Sequence, residues 1–122
     1  MVRPVLVVDA HEDSRYSLME LLRVSGYVVL GASSGAAALD MLRGGLRPCV
    51  ILLDLMVPGN GWSFRFEQVS DPELAPIPVI GGSTMQKTQE DVDPAFRVEH
   101  CLLKPFDIEA LLELVARYCE RN

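Results

Sequence analysis

The sequence predicts an α/β fold built on one doubly wound parallel sheet. Short aliphatic runs alternate with helical patterns along the chain, which is the signature of βα units. Two of the runs, Val5-Leu6-Val7-Val8 and Val50-Ile51-Leu52-Leu53, are continuous rather than alternating, as central parallel strands covered on both faces should be. They are expected to be sheet neighbours. The length of 122 residues suits one domain with one core, so residues 1–122 are read as a single unit without repeat, low-complexity tract or linker.

Each element follows from a local signal. Besides the two central runs, Tyr27 to Leu30, Ile77 to Ile80 and Cys101 to Leu103 read as strands, giving five in all. The first helix is expected over 13–25, with Leu18, Leu21 and Leu22 on one face and Gly26 as its stop. A second over 35–43 has Ser34 as N-cap and ends at Gly44-Gly45. Trp62, Phe66 and Val69 at i, i+4, i+7 predict a third with those residues in the core. The last helix is capped by Asp107 and has Ile108, Leu111, Leu112 and Val115 as its buried stripe. Between 85 and 99 Pro94 would break a helix, so a short or irregular element is expected there.

Composition excludes several function classes. Eleven basic against seventeen acidic residues give a net charge of −6, which argues against a bare electrostatic grip on nucleic acid or an anionic membrane. No apolar run approaches the roughly 18 residues of a membrane span, and Arg3-Pro4 followed by four aliphatics does not read as a signal peptide, so a cytoplasmic protein is expected. Cys49, Cys101 and Cys119 are odd in number and lie in or beside apolar segments, which predicts buried thiols in preference to a disulfide or metal site.

Open α/β sheets gather functional groups beyond the carboxyl ends of their strands. Here Asp9 ends the first strand, Asp54 the third, Ser83-Thr84 the fourth and Lys104-Pro105 the fifth. Two carboxylates, a hydroxyl and an ammonium on one rim form a constellation suited to phosphoryl handling. The carboxylates hold a hard cation, the lysine neutralises phosphoryl oxygens, and one carboxylate is free to act as nucleophile. Asp9 also has a reading as a plain ion-pair partner of Lys104, and Ser83 as a satisfier of strand-end backbone groups. The histidines His11 and His100 read as solvated loop residues.

With VLVVDAHEDSR (5–15), ILLDLMVPGNGW (51–62), PVIGGST (78–84) and LLKPF (102–106), the chain resembles the receiver domain of two-component response regulators over essentially its whole length. The resemblance implies a sheet of order 2-1-3-4-5 flanked by five helices. It implies Asp54 as phosphoacceptor, taking a phosphoryl group from a histidine kinase or phosphotransfer protein with Mg²⁺ bound. Asp9, Asp54 and the backbone carbonyl of Met56 would hold the metal, Ser83 would be the switch hydroxyl, and Lys104 the charge partner, with the Lys104-Pro105 bond often cis. Such domains are regulatory; at most they phosphorylate and dephosphorylate themselves slowly. Their protein partners usually bind the face built from the fourth helix onward, here residues 85–120.

The departures from the family pattern carry their own expectations. Ala10 stands where receivers usually bear a second metal-binding acid, so Mg²⁺ should bind weakly, with Glu12 or Asp13 as the acids near enough in sequence to reach in. Cys101 replaces the aromatic that usually rotates on phosphorylation. PGNGW is one residue shorter than the usual loop, with Asn60 in place of its aspartate, and Gly81-Gly82 is expected to make the end of the fourth strand pliable. Two readings of different class follow: a phosphorylation-driven receiver, and a pseudo-receiver that serves as a phosphorylation-independent protein-interaction module.

Overall fold

The computed structural model describes residues 2–56, 61–83 and 97–121. Five strands, β1 (Val5–Val8), β2 (Val29–Ala32), β3 (Val50–Asp54), β4 (Val79–Ser83) and β5 (His100–Leu103), form one parallel sheet of order β2-β1-β3-β4-β5. Among the described residues there are four helices, α1 (Glu12–Val24), α2 (Gly35–Arg43), α3 (Gly61–Val69) and α4 (Ile108–Tyr118). The element expected between 85 and 99 falls largely outside the described residues.

The continuous aliphatic runs behave as expected of doubly covered strands. Every residue of β1 and β3 is buried, and their register pairs Val5 with Val50 through Val8 with Leu53. One core lies under α2 and α3, with Leu6, Ile51, Leu53 and Phe64; the other lies under α1 and α4, with Val7, Leu22, Leu52 and Leu111. The caps at Ser34 and Asp107 are formed as expected, each side chain accepting a backbone N–H of the first turn. Gly26 and Gly45 close α1 and α2 at positive φ, 100° and 112°.

Two strands are displaced from their expected positions. The Tyr27 amide donates to the Leu22 carbonyl, so it completes the closure of α1 and β2 starts two residues later. The Ile77 amide is likewise taken by Leu74, and β4 runs on through Gly81 and Gly82 to Ser83. The glycine pair is therefore interior strand, hydrogen-bonded to β3 and β5, rather than a loose end. A Cβ on Gly82 would lie 2.6 Å from the Phe106 ring, and one on Gly81 would lie 3.0 Å from Leu55. Close packing, not pliability, accounts for the two glycines.

Helix faces needed more correction than helix positions. In α3 the buried side chains are Phe64, Arg65 and Gln68, while Phe66 is 53% exposed and Trp62 only half-buried. Apolar periodicity missed this because most of the buried polar groups find hydrogen-bond partners, one in the other and the rest in backbone carbonyls. Arg65 donates to the Gln68 side-chain oxygen at 3.0 Å and to the Arg97 carbonyl at 2.8 Å, and the Gln68 amide donates to the carbonyls of Leu74 and Ile77. Similarly, α4 buries Leu111, Leu114 and Val115, with Leu112 partly buried, and leaves Ile108 exposed in its first turn.

The cysteines also differ from expectation. Cys49, at the start of β3, and Cys119, at the C-terminal end of α4, are buried but joined in a disulfide, with their Cα atoms 5.3 Å apart. A separation of 70 residues hides a pairing that the fold brings together. Cys101 is free and exposed on the edge strand β5, not buried. His100 is not a solvated loop residue either: its Nε2 lies 2.8 Å from the Tyr118 hydroxyl, tying β5 to α4.

Candidate functional site

The register of the three central strands sets the site. Because Val8 pairs with Leu53, the next residues, Asp9 and Asp54, come out level on the same rim. Asp54 in turn pairs with Gly82, so Ser83 lies one residue further along the neighbouring strand. The amide of Lys104 donates to the Ser83 carbonyl at 2.9 Å, fixing the end of β5 against the end of β4. Asp9, Asp54 and Ser83 are all buried. The two acids and the ammonium expected at the rim are thus brought together, and Ser83 lies one residue along β4 from the Asp54 partner Gly82; Thr84 lies outside the described residues.

Each carboxylate is held at one oxygen and left to Lys104 at the other. Asp9 Oδ1 accepts from the His11 amide at 2.8 Å and Asp54 Oδ1 from the Met56 amide at 2.9 Å. The Lys104 ammonium lies 3.6 Å from Asp9 Oδ2 and 3.3 Å from Asp54 Oδ2. Arg15 adds a hydrogen bond to the Asp9 carbonyl oxygen at 2.7 Å, which anchors the turn into α1. Two buried carboxylates thus share a single ammonium, and the excess negative charge favours a further cation at this rim.

Lys104 is itself supported. Its bond to Pro105 is cis, as the family resemblance implied. Its ammonium stands 5.8 Å from the centre of the Phe106 ring, and that ring rests on Gly82 where a Cβ would otherwise be. Sequence reasoning singled out Gly82 for flexibility; the relevant signal was its position one strand away from LLKPF.

Of the expected metal-site residues, Asp9 and Asp54 come together, and His11 joins them. One ligand atom from each of Asp9, His11 and Asp54 lies within 4.8 Å of the others. Glu12 and Asp13 are exposed in the first turn of α1, and neither belongs to this cluster. Ala10 is half-buried and packs against the core under α2 and α3. Met56 directly precedes residues 57–60, which lie outside the described residues; Gly61 and Trp62, the last two of the PGNGW segment, open α3.

Beside the rim, a groove of about 370 Å³ runs between α1 and α4, bordered by Ser17, Leu21, Phe106 and Ile108. At the edge of the sheet, partial burial pushes the Cys101 thiol pKa upward, so at neutral pH it stays a thiol. No described helix is long and apolar enough to cross a membrane.

Comparisons with known proteins agree with this architecture. The family model of the response regulator receiver domain matches residues 5–116. The polar-differentiation response regulator DivK of Brucella ovis is 28% identical over 120 residues, covering 97% of each chain. Among solved structures, a response regulator receiver protein from Pseudomonas putida is 32% identical with a TM-score of 0.83, covering 96% of this chain and 98% of its own. The chemotaxis response regulator CheY4 of Vibrio cholerae is 28% identical with a TM-score of 0.84, covering 97% and 99%. The chain belongs to the response regulator receiver domain family, whose members are phosphoacceptor signalling domains.

Proposed function

We propose that residues 1–122 work as one receiver domain in which Asp54 accepts a phosphoryl group from a histidine kinase or phosphotransfer protein. The observation that carries this reading is the convergence of the Lys104 ammonium, at 3.6 and 3.3 Å, on the two buried carboxylates of Asp9 and Asp54. In the transfer, an Asp54 oxygen attacks the phosphorus, the bond from phosphorus to the donor imidazole nitrogen breaks with its electron pair leaving on nitrogen, and an acyl phosphate forms. Lys104 then exchanges its hold on the Asp54 carboxylate for the phosphoryl oxygens. Ser83 closes on those oxygens from β4.

Receiver domains bind Mg²⁺ at an acidic pocket, and the carboxylate oxygens of Asp9 and Asp54 suit that hard cation; by the family resemblance the Met56 carbonyl would be a third ligand. When bound, the cation held by these residues would screen repulsion between the carboxylates and the incoming phosphoryl oxygens. Ala10 supplies no ligand, so Mg²⁺ binding is weak; losing even supporting groups around a metal costs about 10–100-fold. Glu12, outside the cluster, is not among the proposed ligands.

The domain acts as a regulator, with only slow self-phosphorylation and self-dephosphorylation. Its output partner is a protein that binds the face of residues 85–120, to which β5 and α4 contribute exposed Leu103 and Ile108. A net charge of −6 supports a protein partner over nucleic acid or membrane. Acetyl phosphate with excess Mg²⁺ tests the chemistry by intact-protein mass spectrometry. The wild type is expected to gain one phosphoryl group and Asp54→Asn none. No adduct on either protein would favour the pseudo-receiver, a reading to which Ala10 lends its support.

A further inference from the structure

The residue that follows Ala10 is better placed to bind metal than the acids further along α1. His11 occupies the N-cap of α1, a position usually given to Ser, Thr, Asp or Asn, yet its side chain makes no capping hydrogen bond. The ring is 80% exposed, and its Nδ1 stands 3.7 Å from Asp9 Oδ1. Two ligands each about 2.1 Å from one ion stand roughly 3–3.5 Å apart, so this pair needs little movement to share a cation. Asp54 completes the set, all three ligand atoms lying within 4.8 Å of one another. His11 thus makes no helix-capping contact, and its ring nitrogen stands near the Asp9 carboxylate, next in sequence to Ala10, which has no ligand atom to offer.

We propose that His11 is a metal ligand of this site and turns its selectivity from Mg²⁺ towards first-row divalent transition cations that accept imidazole nitrogen. Mg²⁺ prefers oxygen ligands and gains little from a nitrogen donor; Co²⁺, Ni²⁺ and Zn²⁺ gain much. The inference rests on the reading of this rim as a metal-assisted phosphoryl site. It concerns which cation serves that site, and it is tested without any phosphodonor.

Calorimetric titration of the untagged protein with Co²⁺ and with Mg²⁺ supplies the first measurement. Wild type is expected to bind Co²⁺ at least about a hundredfold more tightly than Mg²⁺, and His11→Ala to lose about tenfold or more of the Co²⁺ affinity while Mg²⁺ affinity changes little. The exposed position of His11 leaves the fold of that variant undisturbed. Pulsed electron paramagnetic resonance of the Mn²⁺-loaded protein supplies the second, with imidazole nitrogen coupling expected in wild type and absent from His11→Ala. A further variant, Ala10→Asp, should tighten Mg²⁺ about tenfold and narrow the preference for Co²⁺. Equal Co²⁺ affinity in wild type and His11→Ala, or nitrogen coupling that persists in the variant, would overturn the proposal. Phosphorylation of Asp54 would be untouched by that result, since no step of the measurement depends on it.

Discussion

At the end of the sheet where the strands begin, Cys49 and Cys119 are joined beneath buried Val5 and Val50, and α4 is fastened to β3 by a covalent bond. At the end where the strands finish, Asp9 and Asp54 are equally buried but share one ammonium at 3.3 and 3.6 Å. The first end gains stability from the apolar groups it buries. The second carries charge that would be costly inside a protein unless paired, and it is under-paired. The same sheet serves both ends, because parallel strands bring like termini together. The contrast teaches that the starting end has little to do except hold, while the finishing end keeps an electrostatic deficit that a cation or a phosphoryl group with its lysine can relieve.

The largest expected effect breaks the stabilising end alone. Closing a loop of 70 residues stabilises the folded chain by about 4 kcal/mol in the chain-entropy account. Reduction, or Cys119→Ser, should lower the unfolding free energy by about that amount in a denaturant titration and leave the yield of phosphorylated protein at low temperature unchanged. A matching loss of phosphorylation under conditions where the reduced protein is still folded would show that the two ends are coupled.

A smaller effect is expected at the finishing end. Gly82→Ala places a methyl group 2.6 Å from the Phe106 ring, so the ring must tilt and Lys104 loses its support. Overpacking of this kind costs about 1–3 kcal/mol. The accompanying drop in phosphorylation rate should be larger than the stability change implies, and Phe106→Leu should restore part of it by making room. If Gly82→Ala lowers stability but leaves the rate intact, Phe106 supports the fold and not the lysine.

The legible parts of the molecule were those written in local pattern. Continuous aliphatic runs marked β1 and β3, and strand-end Asp9 and Asp54 followed from where those runs stop. Side chains whose burial depends on distant partners were not legible. Arg65 and Gln68 look like surface residues until the carbonyls of Leu74, Ile77 and Arg97 are placed around them. Cys49 and Cys119 look like isolated apolar thiols until the sheet and α4 meet. His11 was visible as a neighbour of acids, but only the turn at the start of α1 shows that its ring faces Asp9 instead of capping the helix. The glycines of β4 read as a pliable strand end because the side chains that fill their space, Leu55 and Val98 at Gly81 and Phe106 at Gly82, come from elsewhere in the chain.

The central claim is that the Asp54 carboxylate carries the phosphoryl group. Borohydride reduces an acyl phosphate to the alcohol, so a phosphorylated aspartate becomes homoserine and its position survives proteolysis. After treatment with acetyl phosphate and then borohydride, peptide mass spectrometry should find homoserine at position 54 of the wild type and nowhere else, with none in the unphosphorylated control. Homoserine at position 9, or an adduct that yields none at position 54, would contradict the assignment of Asp54 and with it the account of the rim.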